Sequence, residues 1–160
     1  MQGAFYYLDT MINTVYIRNS NILLYIKERG NSMTNERKFY RCDVCGNMVG
    51  MVENTGIPIM CCGEVMQEII PNSVEAATEK HIPVIKKDGN SITVEVGSVI
   101  HPMTAEHQIN WIAVAAGSFT VRIKLNPGDE PKMQISLPYE GPITAYAYCN
   151  LHGLWKSEIA

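Results

Sequence analysis

Phe119-Thr120-Val121-Arg122-Ile123-Lys124-Leu125, then Asn126-Pro127-Gly128-Asp129, then Met133-Gln134-Ile135-Ser136-Leu137, is the stretch that decides the fold. Apolar residues take every second position on both sides of a turn-forming tetrapeptide. A period of two puts alternate side chains on opposite faces of a half-buried strand, and Asn, Pro, Gly and Asp in a row favour chain reversal. The pattern recurs upstream in Ile92-Thr93-Val94-Glu95-Val96, just after Asp88-Gly89-Asn90. Another turn falls at Tyr139-Glu140-Gly141-Pro142, before a strand over residues 143–148. No long helical period, internal repeat or low-complexity tract follows residue 33. Residues 71–160 therefore read as an antiparallel β-sandwich of the immunoglobulin-like kind, and the chain as all-β.

Upstream of that sandwich, residues 33–70 hold Cys42, Cys45, Cys61 and Cys62. A segment this short rarely folds on an apolar core alone, because below ~40 residues a metal, a disulfide or a partner is usually needed. The expectation is a small metal-binding domain, closed by a linker at Ile70-Pro71-Asn72, where proline extends the residue before it and Asn favours a turn. Residues 1–32 differ from both, with four tyrosines and no cysteine, histidine or proline. Met33 can serve as an initiator, and Lys27-Glu28-Arg29-Gly30 is what a purine-rich ribosome-binding sequence would encode. The expectation is that the natural protein starts at Met33; the alternative is an amphipathic extension that packs Tyr16, Ile17, Ile22, Leu23, Leu24, Tyr25 and Ile26 on the body.

Composition narrows the function. With 46% hydrophobic and 18% charged residues in 160, the chain is that of a folded globular protein. A net charge of −3 offers no basic surface for a phosphate backbone, so nucleic acid is not expected as a partner. The longest apolar candidate for a membrane span is broken by Arg18, Asn19, Asn21, Lys27 and Glu28, short of the ~18 residues required. Five cysteines, an odd count that includes a C-x-x-C pair, with no secretory leader ahead of them, point to reduced thiols that hold metal in the cytoplasm.

Two ligand constellations stand out. Cys42-x2-Cys45 and the adjacent pair Cys61-Cys62 can place four thiolates around one zinc or iron ion. Adjacent cysteines on an extended backbone point apart, so the Cys61-Cys62 pair needs a local distortion. The second set comprises all four histidines, His81, His101, His107 and His152, with Cys149 three residues before His152. Imidazoles beside a thiolate suit iron, zinc or copper, and spacing alone leaves the metal open.

At these residues the sequence resembles desulfoferrodoxin, the two-iron class of superoxide reductase, over residues 33–160. The carrying motifs are Cys42-x2-Cys45 with Cys61-Cys62, Glu79-Lys80-His81-Ile82-Pro83, His101-Pro102-Met103, Glu106-His107 and Cys149-Asn150-Leu151-His152-Gly153. The resemblance implies a desulforedoxin-like iron site in four thiolates. It also implies a ferrous site with equatorial His81, His101, His107 and His152, axial Cys149 and an open sixth position. It further implies reduction of superoxide to hydrogen peroxide, Lys80 as a positive charge near the open position, Glu79 able to occupy it in the ferric state, rubredoxin as electron donor, and a homodimer. The rival readings are a structural module with two zinc sites and a mononuclear iron oxygenase.

Overall fold

The computed structural model describes residues 18–19, 22–23, 36–74 and 76–160. The chain divides into two units, Met1–Ser32 and Met33–Ala160. In the first, β1 (Arg18–Asn19) and β2 (Ile22–Leu23) pair antiparallel, with Arg18 opposite Leu23. The expected start at Met33, and most of the residues whose packing on the body was the alternative, lie outside the described residues. No helix among the described residues is long and apolar enough to cross a membrane.

The second unit opens with five short strands, β3 (Phe39–Arg41), β4 (Met48–Gly50), β5 (Met60–Cys61), β6 (Glu64–Val65) and β7 (Gln67–Glu68). They form a sheet in the order β4-β3-β7 and a separate β5-β6 hairpin. A single helical turn, α1 (Thr78–His81), leads into β8 (Pro83–Asp88), β9 (Ser91–Val96), β10 (Ile109–Ala116), β11 (Phe119–Lys124), β12 (Lys132–Ser136), β13 (Ile143–Cys149) and β14 (Gly153–Ile159). Three strands in the order β12-β9-β8 face four in the order β11-β10-β13-β14, all antiparallel. This is the expected all-β sandwich.

Alternation places the core. Ile92, Val94 and Val96 of β9 and Met133 of β12 meet Ile112, Val114 and Ala116 of β10 and Ala145, Ala147 and Cys149 of β13. The alternation read in β11 delivers less burial than expected, with Val121 exposed and Phe119 and Ile123 only half-buried. β11 is the edge strand of its sheet, so neighbours cover it from one side only. Between Ile109 and Trp111 the pairing of β10 with β13 slips by one residue. That bulge puts Ile109 on the core face with Ile112 despite their odd spacing, and it sits beside Cys149, the partner of Ile109.

A second core lies on the other face of the larger sheet. Phe39 packs its ring 4.9 Å from Trp111 and 5.3 Å from Tyr146, joined by Met48 and Ile69. β13 is therefore buried along its whole length, which a strand with one solvated face would not be. Residues 33–70 thus lean on apolar burial as well as on metal; seating Phe39 alone is worth on the order of 2 kcal/mol. The expected linker is fastened too. Asn72, in a left-handed conformation (φ 56), donates its backbone N–H to Leu154 O, and its side chain both accepts from Lys156 N and donates to Lys156 O.

Candidate metal centres

The four thiols converge, with Cys42, Cys45, Cys61 and Cys62 offering sulfurs within 4.8 Å of one another. The Cys42–Cys45 knuckle closes through Gly46 N to Cys42 O and Cys42 N to Asn47 O, both 2.9 Å, with Gly46 at φ 75. The distortion demanded of Cys61-Cys62 is present. Cys62 and Gly63 form the two-residue loop of the β5-β6 hairpin, both with positive φ (52 and 84), as a type I′ turn requires. The left-handed backbone turns Cys62 back, so its sulfur lies 3.9 Å from that of Cys61, itself 3.7 Å from Cys45. A cysteine at positive φ is strained by about 1–3 kcal/mol, which convergence on a metal offsets. Amides of Cys45 and Val44 donate to the Cys42 sulfur and bring its pKa down to about 7, whereas the hydrogen-bonding thiols of Cys45, Cys61 and Cys42 push Cys62 up to about 12. The Cys42 thiolate forms readily, and a cation is needed to ionise Cys61 and Cys62, both of which are pushed up.

The second group, His81, His101, His107, Cys149 and His152, gathers its ligand atoms within 4.8 Å as well. Local structure aims each ring. Pro83 forces Ile82 into an extended conformation, so α1 ends at His81, whose Nδ1–H donates to Ala77 O at 2.7 Å and leaves Nε2 as the free lone pair. His101 does the same, its Nδ1–H donating to Pro102 O at 2.6 Å. His107 closes a turn on Thr104, and Cys149 ends β13 just before the tight turn that carries His152. The rings form a cycle: His81–His101, His101–His107, His107–His152 and His152–His81 lie 4.5–4.9 Å apart at 76–82°, while the diagonal His81–His107 is 6.2 Å. Nε2 of His101 and of His107 are buried with no hydrogen-bond partner among the described residues. Buried lone pairs of this kind cost free energy unless a cation meets them, so the residues fit a metal.

A family model for desulfoferrodoxin matches residues 73–158, and one for the desulfoferrodoxin N-terminal domain matches residues 34–69. A desulfoferrodoxin of Syntrophotalea carbinolica is 44% identical over 126 residues, which is 79% of this chain and 99% of the relative. The chain belongs to the desulfoferrodoxin family. The crystal structure of the superoxide reductase from Treponema pallidum aligns with a TM-score of 0.63 at 34% identity, over 76% of this chain and 98% of that one. A superoxide reductase of Pyrococcus abyssi is 34% identical over 99 residues, covering 51% of this chain and 86% of its own. The four-cysteine and His4Cys groups of this chain match two iron atoms per chain.

Glu79 and Lys80 precede His81 on α1, both exposed and without an ion pair among the described residues. The Lys80 charge is close enough to disfavour protonation of His81 and His107. Their backbone is held from one side: Glu79 O accepts from Val99 N at 3.0 Å and from Ser98 Oγ at 3.2 Å. Gly97 makes the approach possible, since at φ +83 any Cβ there would lie 2.6 Å from Lys80 O. Gly97→Ala is expected to destabilise the protein by about 2 kcal/mol or more and to loosen metal at the histidine group while sparing the four-cysteine site. Chemical denaturation with metal analysis would check both. Sequence reasoning also missed Asn150, whose Nδ2 donates to Glu106 O at 2.8 Å and whose Oδ1 accepts from Gln108 N at 2.9 Å, tying the Cys149 turn to the His107 loop. Its only sequence signal is a turn-prone Asn beside a ligand.

Burial holds His101 at about 4, and burial likewise depresses His81 and His107. An unfolded histidine titrates near ~6.5, so as pH falls below that value the unfolded chain takes up protons that the folded chain refuses. The neutral histidines thus support the fold above pH ~6.5, and that support is lost as pH falls toward 4. For the metal-free protein, the urea midpoint should drop steadily from pH 7 to pH 5; a flat profile would show that the rings are not buried as described. Burial also raises the Cys149 thiol, so metal entry must displace a proton and metal affinity should weaken in acid.

Proposed function

We propose that this protein is a superoxide reductase that carries out O2•− + e− + 2H+ → H2O2 at the His4Cys group. The observation that carries the reading is the cycle of four imidazoles with a fully buried thiol beside it. Four rings close the cycle and the Cys149 sulfur lies 3.5 Å from His152 Nδ1, so these five residues would together hold one iron. Iron held there would supply a single electron and a place for superoxide to bind. The chain's own residues do the rest. His81, His101, His107 and His152 would give the lone pairs, the buried Cys149 thiolate would donate electron density, and the Lys80 ammonium draws the anion in. Glu79, exposed beside it, would be the carboxylate that meets the iron after turnover, and solvent would supply the two protons.

Five convergent donors exceed the four of a structural zinc site, and among the described residues no carboxylate joins them as an oxygenase facial triad requires. Both rivals are weakened by that count. We further assign residues 33–70 to the four-cysteine iron domain and 71–160 to the catalytic sandwich, with 1–32 as an extension, and propose a cytoplasmic homodimer that takes electrons from a donor such as rubredoxin. Protein made with adequate iron should contain two iron atoms per chain and should consume superoxide in step with bleaching of its visible bands. Zinc at both sites with no iron-dependent reduction would overturn the proposal.

A further inference from the structure

Trp155 touches two ligand histidines that come from different parts of the chain. Its indole stacks on the His81 ring, with centroids 4.9 Å apart and planes at 24°, and its Nε1–H donates to the backbone carbonyl of His152 at 3.0 Å. His81 ends α1 and His152 sits in the β13-β14 turn, 71 positions away, yet His81 Nε2 and His152 Nδ1 approach to 2.9 Å. Trp155 lies on β14 opposite Ala147 of β13, so both face the inner core, and the small alanine leaves the indole room. The indole is almost wholly buried, and its one polar atom is spent on the His152 carbonyl.

From this geometry we infer that Trp155 is a positioning residue for the His4Cys centre, one that fixes the ring plane of His81 by stacking and the backbone of His152 by its N–H. The Nδ1–H bond to Ala77 by itself would let the ring rotate about it. The Nδ1–H bond of His81 to Ala77 sets which nitrogen is free, while the flat indole sets the direction in which that nitrogen points. Partners behind the ligands usually change metal affinity by about 10–100-fold when removed, because a misaimed lone pair binds weakly even in an intact fold. The inference rests on His81 and His152 being ligands.

The test compares Trp155→Phe, which keeps a ring over His81 but loses the N–H, with Trp155→Leu, which loses both. Cobalt(II) is titrated into metal-free, reduced protein against a chelator, reading the bands of the two sites separately, and the electron paramagnetic resonance spectrum of the ferric protein is recorded. The expected result is about 3–10-fold weaker cobalt binding at the His4Cys site for Trp155→Phe and about 10–100-fold weaker for Trp155→Leu. The four-cysteine site should be unaffected, and the ferric signal should change shape in both variants. A merely structural tryptophan would lower the melting temperature of the metal-free chain without moving the ferric signal. Should Trp155→Leu fail to fold, the Phe variant decides alone. Cobalt affinity within twofold of the parent and an unaltered ferric signal in Trp155→Phe would overturn the proposal. His81→Ala is the control: if it binds cobalt like the parent, the ligand assignment itself falls and Trp155 with it. If only His81→Ala loses cobalt, the ligand assignment stands and the role of Trp155 does not.

Discussion

Replacing Cys149 with Ser should abolish superoxide reduction and the visible band of the His4Cys iron while leaving the spectrum of the four-cysteine iron in place. Cys149 is fully buried at the end of β13, beside His152 Nδ1 and opposite Gly153, so the serine would fit without strain. The change is therefore chemical. A serine hydroxyl stays protonated where a metal ionises a thiol, and oxygen donates far less electron density than sulfur. Removing partners one step behind a ligand already costs about 10–100-fold, so loss of the ligand itself should cost more than ~100-fold in turnover. The two ligand groups share no residue, which is why the other spectrum should survive. Cys45→Ser should do the reverse. It should remove the four-cysteine iron and loosen the knuckle, yet leave much of the catalysis, because Phe39 still anchors that segment on Trp111 and Tyr146. Retained superoxide reduction in Cys149→Ser would end the assignment of the sulfur as a ligand.

Lys80→Ala should slow the bimolecular reaction with superoxide by about 10 to 10³ fold and leave iron content unchanged. From Met33 onward the chain has ten Lys and Arg against fourteen Asp and Glu, a net of −4, so its overall field repels an anion. Position outweighs that sum. Two unit charges ~4 Å apart interact by roughly 4 kcal/mol at an effective dielectric of 20, while surface charges beyond ~8 Å are largely screened at physiological salt. Lys86, Lys87, Lys132 and Lys156 are each paired with a glutamate, whereas Lys80 has no ion pair among the described residues and bears on both His81 and His107. Lys80→Arg should retain most of the rate. Raising salt should slow the parent protein, and the Ala variant less or not at all. Pulse radiolysis across ionic strength would measure this directly, and an unchanged rate constant and salt slope in Lys80→Ala would mark Lys80 as an ordinary solvated charge.

What the sequence determined by itself was the chemistry and the strand pattern. Cysteine and histidine are few, their side chains have few other uses when clustered, and C-x-x-C, C-x-x-H and His-Ile-Pro are local arrangements whose turns follow from neighbouring residues. Alternation likewise announced β9 and β12, because a strand with one buried face writes its period into the residues it carries. Where both faces are buried that period vanishes: β10 reads Ile-Asn-Trp-Ile-Ala-Val-Ala-Ala, and only the packing of Phe39, Met48 and Ile69 on its outer face explains it. The tertiary structure alone decided that the four imidazoles close into a cycle, that Gly97 admits the backbone of Lys80, and that Trp155 joins His81 to His152. Each of these depends on strand register or on contacts between distant residues. Spacing along the chain carries no information about them, because the bulge at Asn110 and the β13-β14 register are settled by packing and hydrogen bonding across the whole sandwich.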